Sequence, residues 1–93
     1  MKANTRTETL TLEDVLEDVE QEKSLILYND DVNTFDYVID SLIEVCNHDI
    51  IQAEQCTYLV HYAGKCDVKN GTFEELKPMR TELSRRGLTA KIL

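Results

Sequence analysis

Ninety-three residues, 42% of them hydrophobic, suffice for one compact domain with one core and are too few for two. The net charge of −8 is unevenly spread: residues 24 to 64 carry seven acids and no Lys or Arg, whereas residues 65 to 93 carry seven bases and four acids. That acidic middle repels phosphate backbones and anionic membranes, and no apolar run approaches the ~18 residues of a spanning helix, so nucleic acid and membrane give way to a cationic ligand or basic partner.

Met1 to Lys23 holds seven acids and three bases and no apolar block that reads as a secretory signal. Leu12, Val15, Leu16 and Val19 fall at helical spacing after Thr11, but so short a stripe on so acidic a segment is marginal as a helix. We read residues 1–23 as an acidic, flexible extension, residues 24–93 as the folded domain, and the protein as cytoplasmic. Ser24 to Tyr28 is a buried strand, because Leu25, Ile26 and Leu27 are contiguous and flanked by polar residues. Phe35, Val38, Ile39, Leu42 and Ile43 then recur with helical period and predict a helix from about Thr34 to Asn47, with Asn33 or Thr34 as its cap.

Asn47-His48-Asp49 breaks the chain, with His48 a linker residue of no special task, and Asp49 with Gln52 forms a capping box that opens a second helix ending at Gly64. Ile50, Ala53, Cys56 and Val60 are its expected core stripe; Thr57 and His61 lie on an adjacent edge. Lys65 to Val68 is a second strand, Asn70-Gly71 a turn, and Thr72 the cap of a third helix that Pro78 is expected to kink or split. Gly87 ends it, and Leu88 to Leu93 returns as the last strand. The order strand, helix, helix, strand, helix, strand predicts an α+β two-layer sandwich with the helices on one sheet face. Cys46, Cys56 and Cys66 are odd in number and lack Cys-x-x-Cys or zinc spacing, so they read as packed thiols, with no metal or cofactor implied.

The chemistry concentrates at Asn29-Asp30-Asp31, where the first strand runs out before a helix. A free α-ammonium group presents three N–H donors on a positive centre and wants two or three acceptors, at least one anionic. Asn29 offers an amide oxygen, Asp30 a carboxylate and neutral His61 a ring nitrogen. Val38, Thr57 and Val60 are spaced to line an adjoining apolar slot for the ligand's first side chain. A calcium loop over Asn29, Asp31 and Asn33 fails, since Thr34 stands where Gly is required and Asp40 where Glu is. No Ser or Cys sits in a catalytic motif and His61 has no evident catalytic partner, so no enzyme is expected.

Asn29-Asp30-Asp31 after an apolar strand, Phe35-Asp36-Tyr37-Val38-Ile39-Asp40 on the first helix, Ala53, and Val60-His61-Tyr62-Ala63-Gly64-Lys65 together resemble the ClpS family, bacterial adaptors of the N-end rule. The likeness runs without a gap from residue 24 to about 68 and loosely beyond. It implies a monomeric, ClpS-like, non-enzymatic adaptor that binds proteins beginning with a bulky hydrophobic residue and delivers them to the ClpA unfoldase of the ClpAP protease. It implies α-amino contacts from Asn29, Asp30 and His61, and a hydrophobic pocket from Asn33, Phe35, Val38, Thr57, Val60 and, from the end of the chain, Leu88. Glu74 and Lys77 fall near the family's unfoldase-docking surface, and residues 1–23 correspond to the extension engaged during delivery. Phe35 and Thr57 stand where the family usually has methionines, and Asn33-Thr34 replaces a Thr-Pro type of turn, so pocket size and selectivity are expected to differ. The alternative is a non-degradative interaction module like the ribosomal stalk C-terminal domain, which has no reason to keep Asn29, Asp30 and His61 convergent.

Overall fold

The computed structural model describes residues 21–93. The Leu12 to Val19 stripe and nearly all of the expected extension lie outside the described residues. The elements follow in the expected order: β1 (Lys23–Tyr28), α1 (Phe35–Cys46), α2 (Ile50–Ala63), β2 (Lys65–Gly71), α3 (Phe73–Arg85) and β3 (Thr89–Ile92). The strands form one antiparallel sheet in the order β2-β1-β3, so the first strand is central. Leu25 and Leu27, alternate residues of β1, are fully buried and pack with Val68, Ala90, Leu42, Leu76 and Leu83. All three helices contribute to that one core, which gives the α+β two-layer sandwich.

Helix starts are fixed by side chains that take the orphan amides of the first turn. Thr34 Oγ1 accepts from Tyr37 N at 3.2 Å, and Asp49 Oδ1 accepts from Gln52 N at 2.8 Å. Thr72 and Glu75 form a complete capping box, each side chain bonding the other's amide, at 3.1 and 2.8 Å. Four sequence expectations need correction. Ile50, the first residue of α2, is 54% exposed, and Ala53, Cys56, Thr57 and Val60 make the buried stripe instead. Pro78 does not split α3, which runs as one helix. The one bond it forfeits, to the Glu74 carbonyl, falls near the exposed start, and buried Leu76 and Leu83 hold the flanking turns on the core.

Asn70-Gly71 is not a turn. The two residues extend β2 and pair with Ser24 and Lys23, and the Ser24 hydroxyl lies 2.9 Å from the Asn70 side chain. The register slips between Leu25 and Ile26, which leaves Val68 as an extra residue on β2, a β-bulge. Its carbonyl is met by the His48 ring: Nε2 lies 2.6 Å from Val68 O. A carbonyl only accepts, so Nε2 carries the proton, and Nδ1 is buried without a partner among the described residues. His48 is thus a buried brace between the α1–α2 linker and the sheet, not an idle linker residue. Lys69 strengthens that brace by donating to the Cys46 carbonyl at the end of α1, at 3.1 Å.

Candidate functional site

Two αL residues and one short loop bring the polar candidates together. Gly64 closes α2 at φ 95°, a conformation glycine adopts without strain, and its carbonyl accepts from Asn29 N at 2.9 Å. The junction after β1 is thereby pinned to the far end of α2, one turn from His61. Between β1 and α1 the chain folds around Asp30. Its Oδ1 accepts from Val32 N and Asn33 N, each at 3.1 Å, and from Asn33 Nδ2 at 2.9 Å. Among the described residues Oδ2 takes only Asn33 Nδ2, at 3.1 Å, and so keeps acceptor capacity. The Asn33 amide donates onward to the carbonyl of Gly87 at 3.1 Å, and the Tyr37 hydroxyl to that of Arg86 at 2.7 Å. These bonds tie the loop before α1 and the first turn of α1 to the segment between α3 and β3, and Gly87 with φ 84° turns the chain so that Leu88 enters the core.

One hollow lies at this meeting point. All nine residues expected from sequence at the amine and the pocket line it: Asn29, Asp30, Asn33, Phe35, Val38, Thr57, Val60, His61 and Leu88. Val38, Thr57, Val60 and Leu88 are buried and form an apolar floor. Thr57 belongs there because its hydroxyl is engaged internally, donating to the Ala53 carbonyl at 2.7 Å. Asp30, Asn33 and Phe35 are half-buried, and Asn29 and His61 are exposed at the rim. Among the described residues, no hydrogen bond engages the Asn29 side chain or the His61 ring. One carboxylate with a side-chain amide and an imidazole over an apolar floor suits a ligand that is cationic at one point and greasy beside it.

The hollow is narrow and opens to solvent at its rim. Its open volume is about 20 Å³, room for about one water molecule. The Phe35 ring lies edge-on to His61 with centroids 5.2 Å apart, and edge-on to Tyr58 at 5.1 Å. A large side chain therefore enters only if this ring or its neighbours give way.

Glu74 and Lys77 are elsewhere: both are exposed on the first turns of α3, at the opposite end of that helix from Gly87 and Leu88. Sequence reasoning missed Leu27 and Tyr28, which also line the hollow. Leu27 could have been found, since the last inward-facing residue of a strand borders whatever site lies at the strand's end. The braces supplied by Tyr37 and Gly87 carry no sequence signal of their own, because each bonds a residue some fifty positions away.

No helix of the described residues is long and apolar enough to cross a membrane. No curated protein matches the chain. Among solved structures it is similar to Agrobacterium tumefaciens ClpS2 bound to L-phenylalaninamide, with a TM-score of 0.67, 17% sequence identity, and coverage of 77% of this chain and 94% of that one. That likeness extends to the fold. The family model for the ATP-dependent Clp protease adaptor protein ClpS matches residues 18–91, most of the chain. On that match the chain belongs to the ClpS family, adaptors of the ATP-dependent Clp protease.

Proposed function

We propose that this adaptor captures the free N-terminus of a substrate protein whose first residue is bulky and hydrophobic, and presents it to the unfoldase of a Clp protease in the cytoplasm. The observation that carries the reading is the convergence of three separated stretches, Asn29 to Val38, Thr57 to His61 and Leu88, on one hollow with an apolar floor and an acceptor rim. The ligand in the Agrobacterium structure, L-phenylalaninamide, supports it, being an apolar side chain on a free α-amine. The Asp30 carboxylate and the amide and imidazole acceptors of Asn29 and His61 would take the three ammonium donors. Burying one apolar side chain contributes about 1.5–3 kcal/mol and each charge-assisted hydrogen bond about 1.5–3 kcal/mol. Phe35 would swing aside to admit the side chain and close over it afterwards. Glu74 and Lys77, exposed and well away from the hollow, would meet a ClpA-like N-terminal domain, and residues 1–23 would serve as the segment the unfoldase engages. The working unit in this reading is a monomer.

The test is a pair of fluorescent peptides beginning with Phe, identical except that one is acetylated. Anisotropy is expected to show binding of the free-amine peptide and loss of at least a hundredfold on acetylation, with a comparable loss for Asp30→Ala. Equal affinity for both peptides would overturn the reading.

A further inference from the structure

Arg86 stands where α3 ends, and α1 holds both its backbone and its side chain. The Arg86 carbonyl accepts from the Tyr37 hydroxyl at 2.7 Å, while Nη1 donates to Glu44 Oε1 at 2.7 Å and to Ser41 Oγ at 3.5 Å. Tyr37, Ser41 and Glu44 fall at i, i+4 and i+7, one face of α1. The guanidinium also stays on its own helix, with Nε donating to Glu82 Oε2 at 3.0 Å. Ser41 is fully buried and the Arg86 side chain only 21% exposed, so the group is wedged between the two helices rather than spread over the surface.

The next two residues belong to the hollow. The Gly87 carbonyl accepts from the Asn33 amide that also bonds Asp30, and Leu88 is one of the buried walls. On the side of α1 the walls are Phe35 and Val38. Arg86 thus joins two walls of one space: the helix that carries Phe35 and Val38, and the segment that carries Leu88. Leu88 lies between a glycine at φ 84° and a strand of four residues at the edge of the sheet, and its amide bonds back to Leu83 on α3. The polar ties from that segment toward α1 run through Arg86 and, from the loop before the helix, Asn33. With so little open volume, a small movement of a wall changes what fits, and in an apolar pocket a single methylene group is worth roughly 10- to 200-fold.

We propose that Arg86 is a positioning residue that sets the width of the hollow and, through it, the size of first side chain the protein accepts. The guanidinium does not line the hollow. By bridging Glu44 to Glu82 it fixes α1 against the end of α3, and so Phe35 and Val38 against Leu88. The inference rests on the amine-capture reading, which puts the first side chain in this space. A planar fork suits the task, because it meets carboxylates on two helices at once in a fixed geometry that a lysine ammonium on its flexible stem does not impose.

The experiment uses the full chain and free-amine peptides identical beyond a first residue of Leu, Phe or Trp, with dissociation constants from anisotropy. The quantity read is the ratio of Trp to Leu affinity, because general damage to the fold lowers both and leaves the ratio alone. Arg86→Met, which keeps the aliphatic stem, is expected to raise that ratio about five- to twentyfold. Glu44→Gln, at a side chain 60% exposed, is expected to raise it more than about twofold, and the double variant no further than Arg86→Met alone, since both break one bridge. Arg85→Met removes the same charge from the same helix end, but among the described residues Arg85 bonds Glu82 and no side chain of α1, so the ratio is expected to hold within about twofold. A ratio in Arg86→Met within about twofold of wild type overturns the proposal. So does an equal shift in Arg85→Met, which would mark lost charge alone, or a double variant whose shift is the product of the two single ones. Should Arg86→Met fail to fold, Glu44→Gln decides by the same twofold limit. If no free-amine peptide binds wild type, the capture reading falls as well; if the peptides bind, lose affinity on acetylation and keep their ratio in the variants, only the role of Arg86 falls.

Discussion

Phe35 is half-buried, lines the hollow and touches the rings of Tyr58 and His61, so its removal enlarges the space without stripping a residue from the floor. Wild type is expected to separate peptides beginning with Phe, Leu and Trp, and Phe35→Ala to narrow that spread, measured by anisotropy on the three. The buried thiols are a separate matter. Burial pushes Cys46 up to about 11, and burial together with the adjoining Cys56 thiol pushes Cys66 up to about 12. All three cysteines are buried, so a thiol reagent at neutral pH is expected to modify them only once denaturant unfolds the domain. His48 shows what a sequence hides at this scale. Its task exists because the register slips at Val68, and nothing in Asn47-His48-Asp49 announces a bulge on a distant strand. His48→Ala is expected to destabilise the domain by about 2–4 kcal/mol in denaturant titration, through a cavity and an orphaned carbonyl.

Helices and their caps were legible because their signals are local. Thr34, Asp49 and Thr72 lie within three residues of the amides they take, and the apolar period of α1 buries Val38 and Leu42 where the pattern put them. Ile50, Asn70-Gly71 and Pro78 misled because their outcome depends on what lies across the domain: whether the core reaches the first turn of α2, which partner β1 offers to β2, and whether core contacts outweigh a missing helical bond. Pro78 is exposed, so Pro78→Ala restores that bond at little loss of packing and is expected to raise stability by about 1–3 kcal/mol. The end of α3 carries a charge cluster. Arg86 reaches Glu44 on α1 at 2.7 Å and Glu82 at 3.0 Å, and Arg85 pairs with Glu82 as well. Those guanidinium groups hold the Glu82 carboxyl down from 4.5 to about 2. A lowered value means that the folded state favours the carboxylate. The cluster's contribution is thus whole above about pH 4.5 and lost as pH falls through about 2, and the melting temperatures of wild type and Glu82→Gln are expected to converge over that interval.

At the level of the whole molecule, the lining of the candidate hollow was legible because its residues lie where a strand ends, a helix begins and another helix ends, and such boundaries crowd together at one end of a two-layer sandwich. Asn29 and His61 are 32 positions apart, and a single backbone bond from Asn29 to Gly64 closes the gap. What stayed hidden was the size of the hollow, since side-chain identities report chemistry and not how tightly rings such as Phe35 fold over a space. The order β2-β1-β3 has a consequence for the protein's own synthesis. The central strand leaves the ribosome first and waits with an open flank until residues 89 to 92 arrive to cover it, and Leu88 reaches the floor of the hollow in the same event. During translation, then, a nascent copy carries an unfinished hollow, and one cut short before its closing strand leaves an edge of β1 bare.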